Sequence, residues 1–95
     1  MDGARVDIVV IDADEGSQRI IRSIINEVQD AKILGESFDL ITAFDVVKKL
    51  CPNLVLLNLQ GADEQALRLA EKITQNFPAI TLFVLSPQAN PDSII

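Results

Sequence analysis

The stretch Asn53-Leu54-Val55-Leu56-Leu57-Asn58-Leu59-Gln60 decides the fold. Its apolar run ends in a polar residue and is followed by Gly61, a pattern that predicts a strand buried on both faces. Such strands are typical of parallel sheets with helices on both sides, because neither face meets water. Open sheets of this kind collect their ligands at the carboxyl ends of the strands. The side chain at that end here is the amide of Asn58.

Strand-like and helix-like segments alternate along the rest of the chain. We predict strands at residues 6–11, 31–36, 53–60 and 80–85, the second of them less apolar and therefore at an edge. The helices between them are predicted to start at a Ser17 cap, at Ser37 or Asp39, and at an Asp63 cap. This order predicts right-handed βαβ units in one parallel sheet. The fold class is therefore three-layer α/β/α with a parallel sheet, and residues 1–95 are expected to form a single domain.

Apolar residues at helical spacing predict the buried side of each helix. The predicted buried positions are Ile20, Ile21, Ile24, Ile25 and Val28 in the first helix, Leu40, Ile41, Phe44, Val47 and Leu50 in the second, and Ala66, Leu67, Ala70, Ile73 and Phe77 in the third.

Composition excludes several classes of function. The net charge of −6 argues against direct nucleic-acid binding, since phosphates need a basic surface. The chain has no histidine and only one cysteine, Cys51, so histidine bases and cysteine or histidine zinc sites are excluded. No apolar run is long enough to span a bilayer, and because residues 1–5 lead straight into the first predicted strand we expect no signal peptide. We therefore expect a cytoplasmic protein that is not inserted in a membrane.

Polar residues follow three of the predicted strands and are expected to meet at one edge of the sheet. They are Asp12 and Asp14 after the first strand, Asn58 in the third, and Ser86 after the fourth. Carboxylates there can hold a divalent cation, and a hydroxyl can bind phosphate oxygens. A structural interpretation stays open for each, because aspartates form turns, Ser86 precedes Pro87, and Asn58 can satisfy a neighbouring loop.

These motifs resemble the receiver domains of two-component response regulators. Residues 9–12 match the family's first strand and its acidic turn, and residues 82–86 match its fourth strand, whose terminal hydroxyl contacts the phosphoryl group. The segment Pro-Asn-Leu-Val-Leu-Leu-Asn-Leu at 52–59 is similar to the third-strand signature Pro-Asp-Leu-Val-Leu-Leu-Asp-Leu. The resemblance covers the whole chain and implies the three-layer α/β/α flavodoxin-like fold of that family.

The departures from the family are informative. The phospho-accepting aspartate falls on Asn58, and an amide cannot act as the carboxylate nucleophile of an acyl phosphate. The second member of the family's acidic pair falls on Ala13, so Asp12 and Asp14 are expected to give at most a weak Mg²⁺ site. The family's lysine and switch aromatic lie on a fifth strand, and we expect this domain to lack that strand and the last helix. The resemblance thus implies a pseudo-receiver that is not an enzyme and needs no cofactor.

The segment at 86–92 is similar to the fourth-helix start of one subgroup, the atypical receiver domains of CpaE/TadZ pilus-assembly proteins. That resemblance implies a role in pilus assembly and localisation, with a downstream effector or ATPase domain outside this chain.

Three functions remain open at this point. The first is a phosphorylation-independent module that binds protein partners, including a second copy of itself through the fourth strand. The second is a receiver that still binds Mg²⁺ at Asp12 and Asp14 and switches by a non-covalent ligand or a substitute phospho-acceptor. The third is a flavodoxin-like nucleotide-binding domain, which the acidic turn at 12–16 disfavours because phosphate needs bare backbone amides.

Overall fold

A computed structural model describes residues 5–58 and 64–85. The strands are β1 (Val6–Asp12), β2 (Ala31–Ser37), β3 (Leu54–Asn58) and β4 (Thr81–Leu85). The helices are α1 (Glu15–Asn26), α2 (Leu40–Leu50) and α3 (Glu64–Asn76). The strands form one parallel sheet in the order β2-β1-β3-β4, so the predicted alternation, the parallel pairing and the edge position of β2 are confirmed.

One side of the sheet, which we call the α2/α3 face, carries the larger apolar core. Val9 and Ile11 of β1 and Val55 and Leu57 of β3 are fully buried there against α2 and α3. The rings of Phe44 and Phe77 lie 5.5 Å apart at the rim of this core. Because side chains alternate along a strand, every second residue of β1 and β3 lies on this face and the residues between them lie on the opposite face. A continuous apolar run therefore supplies apolar side chains to both faces.

The opposite side, which we call the α1 face, is less completely covered. Its buried cluster consists of Ile8, Val10 and Ile25, while Leu54 and Leu56 are only partly buried. The prediction that β3 is buried on both faces is therefore confirmed for the α2/α3 face and met only in part on the α1 face. Among the described residues, α1 is the one helix that packs on this side.

The predicted stripes of the helices are only partly buried. In α1, Ile25 is buried, whereas Ile20 and Ile24 are 62% and 60% exposed. Ile41 of α2 and Leu67 of α3 were predicted inside and are exposed, as is Val28 just beyond α1. The predicted Val47, Ala66 and Ile73 are buried, and so are Ala43 and Leu69, which the spacing did not predict. The error has a physical cause: a helix can carry a wider apolar stripe than the sheet surface it covers.

The helix ends follow local hydrogen bonds. Asp14, and not the predicted Ser17, caps α1, because its carboxylate accepts the Ser17 backbone N–H. Asp39, one of the two predicted starts of the second helix, caps α2 in the same way. Its carboxylate accepts the Thr42 backbone N–H. Cys51 ends α2 in the left-handed conformation with φ 48°. The predicted Asp63 cap, the last residues of the 53–60 strand and the helix signal at 90–93 lie outside the described residues.

Over the described ranges 5–58 and 64–85, no helix has the length and apolar character needed to cross a membrane.

Candidate functional site

Asp12 lies at the centre of a polar cluster at the carboxyl end of β1. Its side chain is fully buried. One carboxylate oxygen, Oδ1, accepts the backbone N–H of Asp14 at 2.9 Å. The other, Oδ2, accepts the hydroxyl of Ser17 at 2.6 Å. A buried carboxylate needs such donors, because an unpaired charge away from water is strongly unfavourable.

Asn58 reaches the same carboxylate from β3. The last pair of the β1–β3 register is Asp12 with Asn58, so the two side chains leave neighbouring strands side by side. The amide Nδ2 of Asn58 donates to Asp12 Oδ2 at 3.0 Å and to Ser17 Oγ at 3.3 Å. The sequence prediction that Asp12 and Asn58 meet is confirmed. The contact is direct, with the amide acting as a hydrogen-bond donor to the acid.

Asp14 is placed differently from Asp12. It is exposed, and its Oδ2 accepts the Ser17 backbone N–H at 2.9 Å as the cap of α1. Its backbone carbonyl also lies 3.3 Å from the Ser17 hydroxyl, which donates to it. Asp12 and Asp14 therefore both accept hydrogen bonds from Ser17, but Asp12 is buried and Asp14 lies at the surface.

Ser17 and Gln18 are site residues that the sequence reasoning missed. Ser17 was assigned to the helix cap, yet its hydroxyl joins Asp12 to Asn58. Gln18 is fully buried, and its Nε2 donates to the backbone carbonyls of Asp12 at 3.3 Å and Ser37 at 3.2 Å. The available signal was its helical position: Gln18 lies three and seven residues before Ile21 and Ile25, on the side of α1 that packs on the sheet, and a buried polar side chain must find partners.

Gln18 thereby links the carboxyl ends of β1 and β2 to the first turn of α1. Its own Oε1 is buried without a hydrogen-bond partner among the described residues. The amide cannot be reversed to satisfy Oε1, because that would point an oxygen at two carbonyl oxygens. Gln18 thus holds the sheet end together at the cost of one unsatisfied acceptor. Ser86, the fourth predicted site residue, lies outside the described residues.

Solved structures share this architecture. The isolated receiver (REC) domain of RcsB from Salmonella enterica serovar Typhimurium superposes with a TM-score of 0.81 at 18% identity, covering 95% of this chain and 67% of that one. The signal receiver domain of the putative response regulator NarL from Mycobacterium tuberculosis gives 0.79 at 18% identity, covering 97% and 74%. The fold is that of a receiver domain.

The similarity extends to fold and not to recognisable sequence. No protein-family model matches the chain, and no curated protein matches it significantly. A two-component RcsB–DNA complex superposes with a TM-score of 0.81 at 18% identity over 95% of this chain, but the chain spans only 46% of that RcsB polypeptide. These identities support the receiver fold alone.

The receiver fold raises the question of a magnesium ion beside Asp12. A hard cation is held by several oxygen ligands, and carboxylates supply most of its charge compensation. Both Asp12 oxygens are taken up by N–H and O–H donors, and Asp14 Oδ2 accepts a backbone N–H. Within the described segments, no three carboxylate, cysteine or histidine side chains group around a point. The residues as arranged do not fit a Mg²⁺ ion.

Proposed function

We propose that this chain is a receiver-fold signalling module that binds protein partners without being phosphorylated. The observation that carries the proposal is the hydrogen bond from Asn58 Nδ2 to Asp12 Oδ2. At the position that the receiver resemblance assigns to the phospho-acceptor, the chain has an amide with no nucleophilic carboxylate. That amide also supplies the buried acid with a donor, a role that a metal ion or a lysine would otherwise have to fill.

The electrostatics of the site support the same function. A receiver that accepts phosphate needs a cation to neutralise the developing charge. The start of α1 carries the exposed acidic side chains of Asp14 and Glu15. A phosphoryl group brought to this surface would meet negative charge, and the polar donors that could bind it are already paired with Asp12. We therefore take the module to be non-catalytic and to require no cofactor.

The decisive experiment measures intact mass before and after incubation with acetyl phosphate and Mg²⁺. We expect the wild-type chain to gain no phosphoryl group. Asn58→Asp is the matched variant, because it restores a carboxylate at that position and changes no other residue. Labelling of the wild-type chain at any carboxylate, whether Asp12, Asp14 or another, would overturn the proposal and favour a receiver with a substitute phospho-acceptor.

A magnesium titration of the wild-type chain separates the second interpretation from the first. The titration addresses the exposed Asp14 carboxylate, which has one oxygen without a hydrogen bond among the described residues. If the site acts as proposed, millimolar Mg²⁺ leaves the amide resonances of residues 12–18 unchanged. A saturable shift at those residues would show that the acidic pair still serves a ligand-driven switch.

The finer assignment places the module at the N-terminus of a bacterial pilus-assembly protein of the CpaE/TadZ kind, acting in the cytoplasm beside a downstream ATPase domain. It rests on the sequence at 86–92, outside the described residues. A fluorescent fusion of the chain should then concentrate at one pole of a piliated cell, and a uniform distribution would count against it. No observation on the described residues favours the nucleotide-binding alternative.

A further inference from the structure

Two apolar side chains at the start of α2 are exposed to solvent. Ile41, in the first turn of the helix, is 88% exposed, which is the highest value among the large apolar residues that the structure describes. Phe38, just before the cap residue Asp39, is 49% exposed. Because only Asp39 and Leu40 separate them, Phe38 and Ile41 lie at the same end of the helix, and we call them the α2-start patch.

The backbone that carries the patch is held in place on both sides of Phe38. Ser37 is buried, and its carbonyl accepts the Nε2 of Gln18 at 3.2 Å. Asp39 follows Phe38 and accepts both the backbone N–H and the hydroxyl of Thr42. The aromatic ring is therefore presented by fixed neighbours. A contact that is ordered before binding loses less entropy when a partner covers it.

Acidic side chains accompany the patch. Asp39 lies between Phe38 and Ile41, and Asp45 lies one turn after Ile41 on the same flank of α2. Both carboxylates are exposed, and within the described ranges neither forms an ion pair. The start of α2 thus combines exposed apolar groups with negative charge that this chain does not neutralise.

Basic residues of the neighbouring elements are already engaged. Arg22 of α1 pairs with Glu36 of β2 at 2.7 Å, and the amino group of Lys72 of α3 lies over the Phe44 ring, 4.1 Å from its centroid. The basic residues of α2 itself lie in its last turn. The negative charge is therefore confined to the first half of α2, and a cation that would complement it has to come from another molecule.

We propose that the α2-start patch binds a cationic amphipathic helix of a partner protein; the proposal deepens the partner-binding function above and rests on it. An apolar side chain of that helix covers Phe38 and Ile41, and its basic side chains pair with Asp39 and Asp45. The spacing favours a helix, because Ile41, Asp45 and Lys49 follow one another at intervals of four residues. Such a row packs into the groove of a second helix. Lys49, at the end of the row, keeps the basic side chains of the partner over the first half of α2.

The first test titrates the 95-residue chain with a synthetic helical peptide of leucine and lysine whose leucines lie along one face. We expect saturable amide shifts centred on residues 38–45, with an affinity that falls as the salt concentration rises. One control peptide has glutamate in place of every lysine, and another has the same composition with its leucines scattered around the helix. Each should bind at least about tenfold more weakly. Shifts centred on other residues, or equal binding of either control peptide, would overturn the proposal.

The second test removes the apolar contact. Ile41→Ser should weaken binding of the lysine peptide about tenfold, while the high exposure of this position leaves the urea midpoint of the chain nearly unchanged. Leu67→Ser is the matched control, because Leu67 is 52% exposed on α3, outside the patch, and its loss should leave the affinity as it is. Unchanged affinity in Ile41→Ser, or an equal loss in both variants, would contradict the assignment.

The third test changes the charges along the row. Asp45→Lys should weaken binding of the lysine peptide about two- to fivefold, and Lys49→Glu should strengthen it by a similar factor. Glu27→Lys makes the same change of net charge as Asp45→Lys, but at the end of α1, and should have a smaller effect. Equal effects of Asp45→Lys and Glu27→Lys would mean that the peptide responds to overall charge and not to the start of α2.

The two proposals fail separately. Phosphorylation of the wild-type chain would refute the phosphorylation-independent function and leave peptide binding at the α2-start patch intact. A chain that takes no phosphate and shows no shifts at residues 38–45 would refute the patch and leave the proposed function in place. Shifts at these residues that follow the concentration of the chain alone would also overturn the proposal, because a second copy would then be the occupant.

Discussion

The two faces of the same sheet have different contents. On the α2/α3 face, the side chains of β1 and β3 are Val9, Ile11, Val55 and Leu57, all at 0–1% exposure in one apolar cluster. On the α1 face, β1 carries the buried Ile8 and Val10, β3 carries the partly buried Leu54 and Leu56, and the two strands end in Asp12 and Asn58. One face supplies most of the hydrophobic stabilisation, and the other combines a smaller core with a hydrogen-bonded polar cluster. The α2/α3 face therefore contributes more to the stability of the sheet, whereas the polar cluster of Asp12 and Asn58 lies on the α1 face.

The largest expected effect compares adjacent residues of β3 that point to opposite faces. Leu57→Ala removes a fully buried side chain from the α2/α3 face and should lower the free energy of unfolding by about 2–5 kcal/mol. Leu56→Ala acts on the α1 face, where the side chain is only partly buried, and should cost about 1 kcal/mol. Urea denaturation of both variants at low protein concentration measures the difference without a contribution from self-association.

Equal losses in the two variants would contradict the comparison. They would mean that the α1 face is covered as fully as the α2/α3 face under the conditions of the measurement.

The second prediction concerns the polar cluster of the α1 face. Gln18→Met keeps the length of the side chain but removes the donor to the carbonyls of Asp12 and Ser37. It also removes the unpartnered Oε1, so the two effects partly cancel and the net loss should be about 1 kcal/mol. Gln18→Glu retains the shape but turns a carboxylate oxygen towards two carbonyls, and it should be clearly more destabilising. Urea midpoints at neutral pH give the order.

If Gln18→Glu were as stable as Gln18→Met, the buried amide would not be acting as the donor between β1 and β2. The matched control is Gln29→Glu, an exposed position after α1 with the same change of charge, which should leave the midpoint nearly unchanged.

The sequence predicted the architecture better than the site, for physical reasons. Strand direction follows from the βαβ alternation and the edge position of β2 from its weaker apolar character, and the Asp12–Asn58 contact follows from the shared end of parallel strands. The hydrogen-bond partners do not follow from spacing. Ser17 was assigned to the helix end because serine is a good cap, but Asp14 occupies that position and frees the hydroxyl for the site.

The exposed isoleucines of α1 show a second limit of sequence patterns. Helical spacing predicted that Ile20, Ile24 and Ile25 are buried, and of these three only Ile25 is. Which part of an apolar stripe is covered depends on where the neighbouring strands end and on what lies beside them, and neither is encoded in the helix itself. Gln18 is the opposite case, a polar residue that is buried because two carbonyls need its amide.

The smallest expected effect concerns Asp39 at the start of α2, a helix that covers the α2/α3 face. The Thr42 backbone N–H, followed by the Thr42 hydroxyl, holds the pKa of Asp39 below its ordinary value of 3.8. A carboxyl whose folded pKa is lowered stabilises the fold above its unfolded pKa, and that contribution is lost as pH falls through the folded value. Asp39→Asn keeps a good cap that does not titrate, so the variant should lose less stability than the wild type between neutral pH and about pH 3. Asp45→Asn removes an exposed carboxylate from the same helix and controls for net charge. Thermal melts across this range measure the slopes, and parallel curves for Asp39→Asn and wild type would show that the cap does not depend on the charge of Asp39.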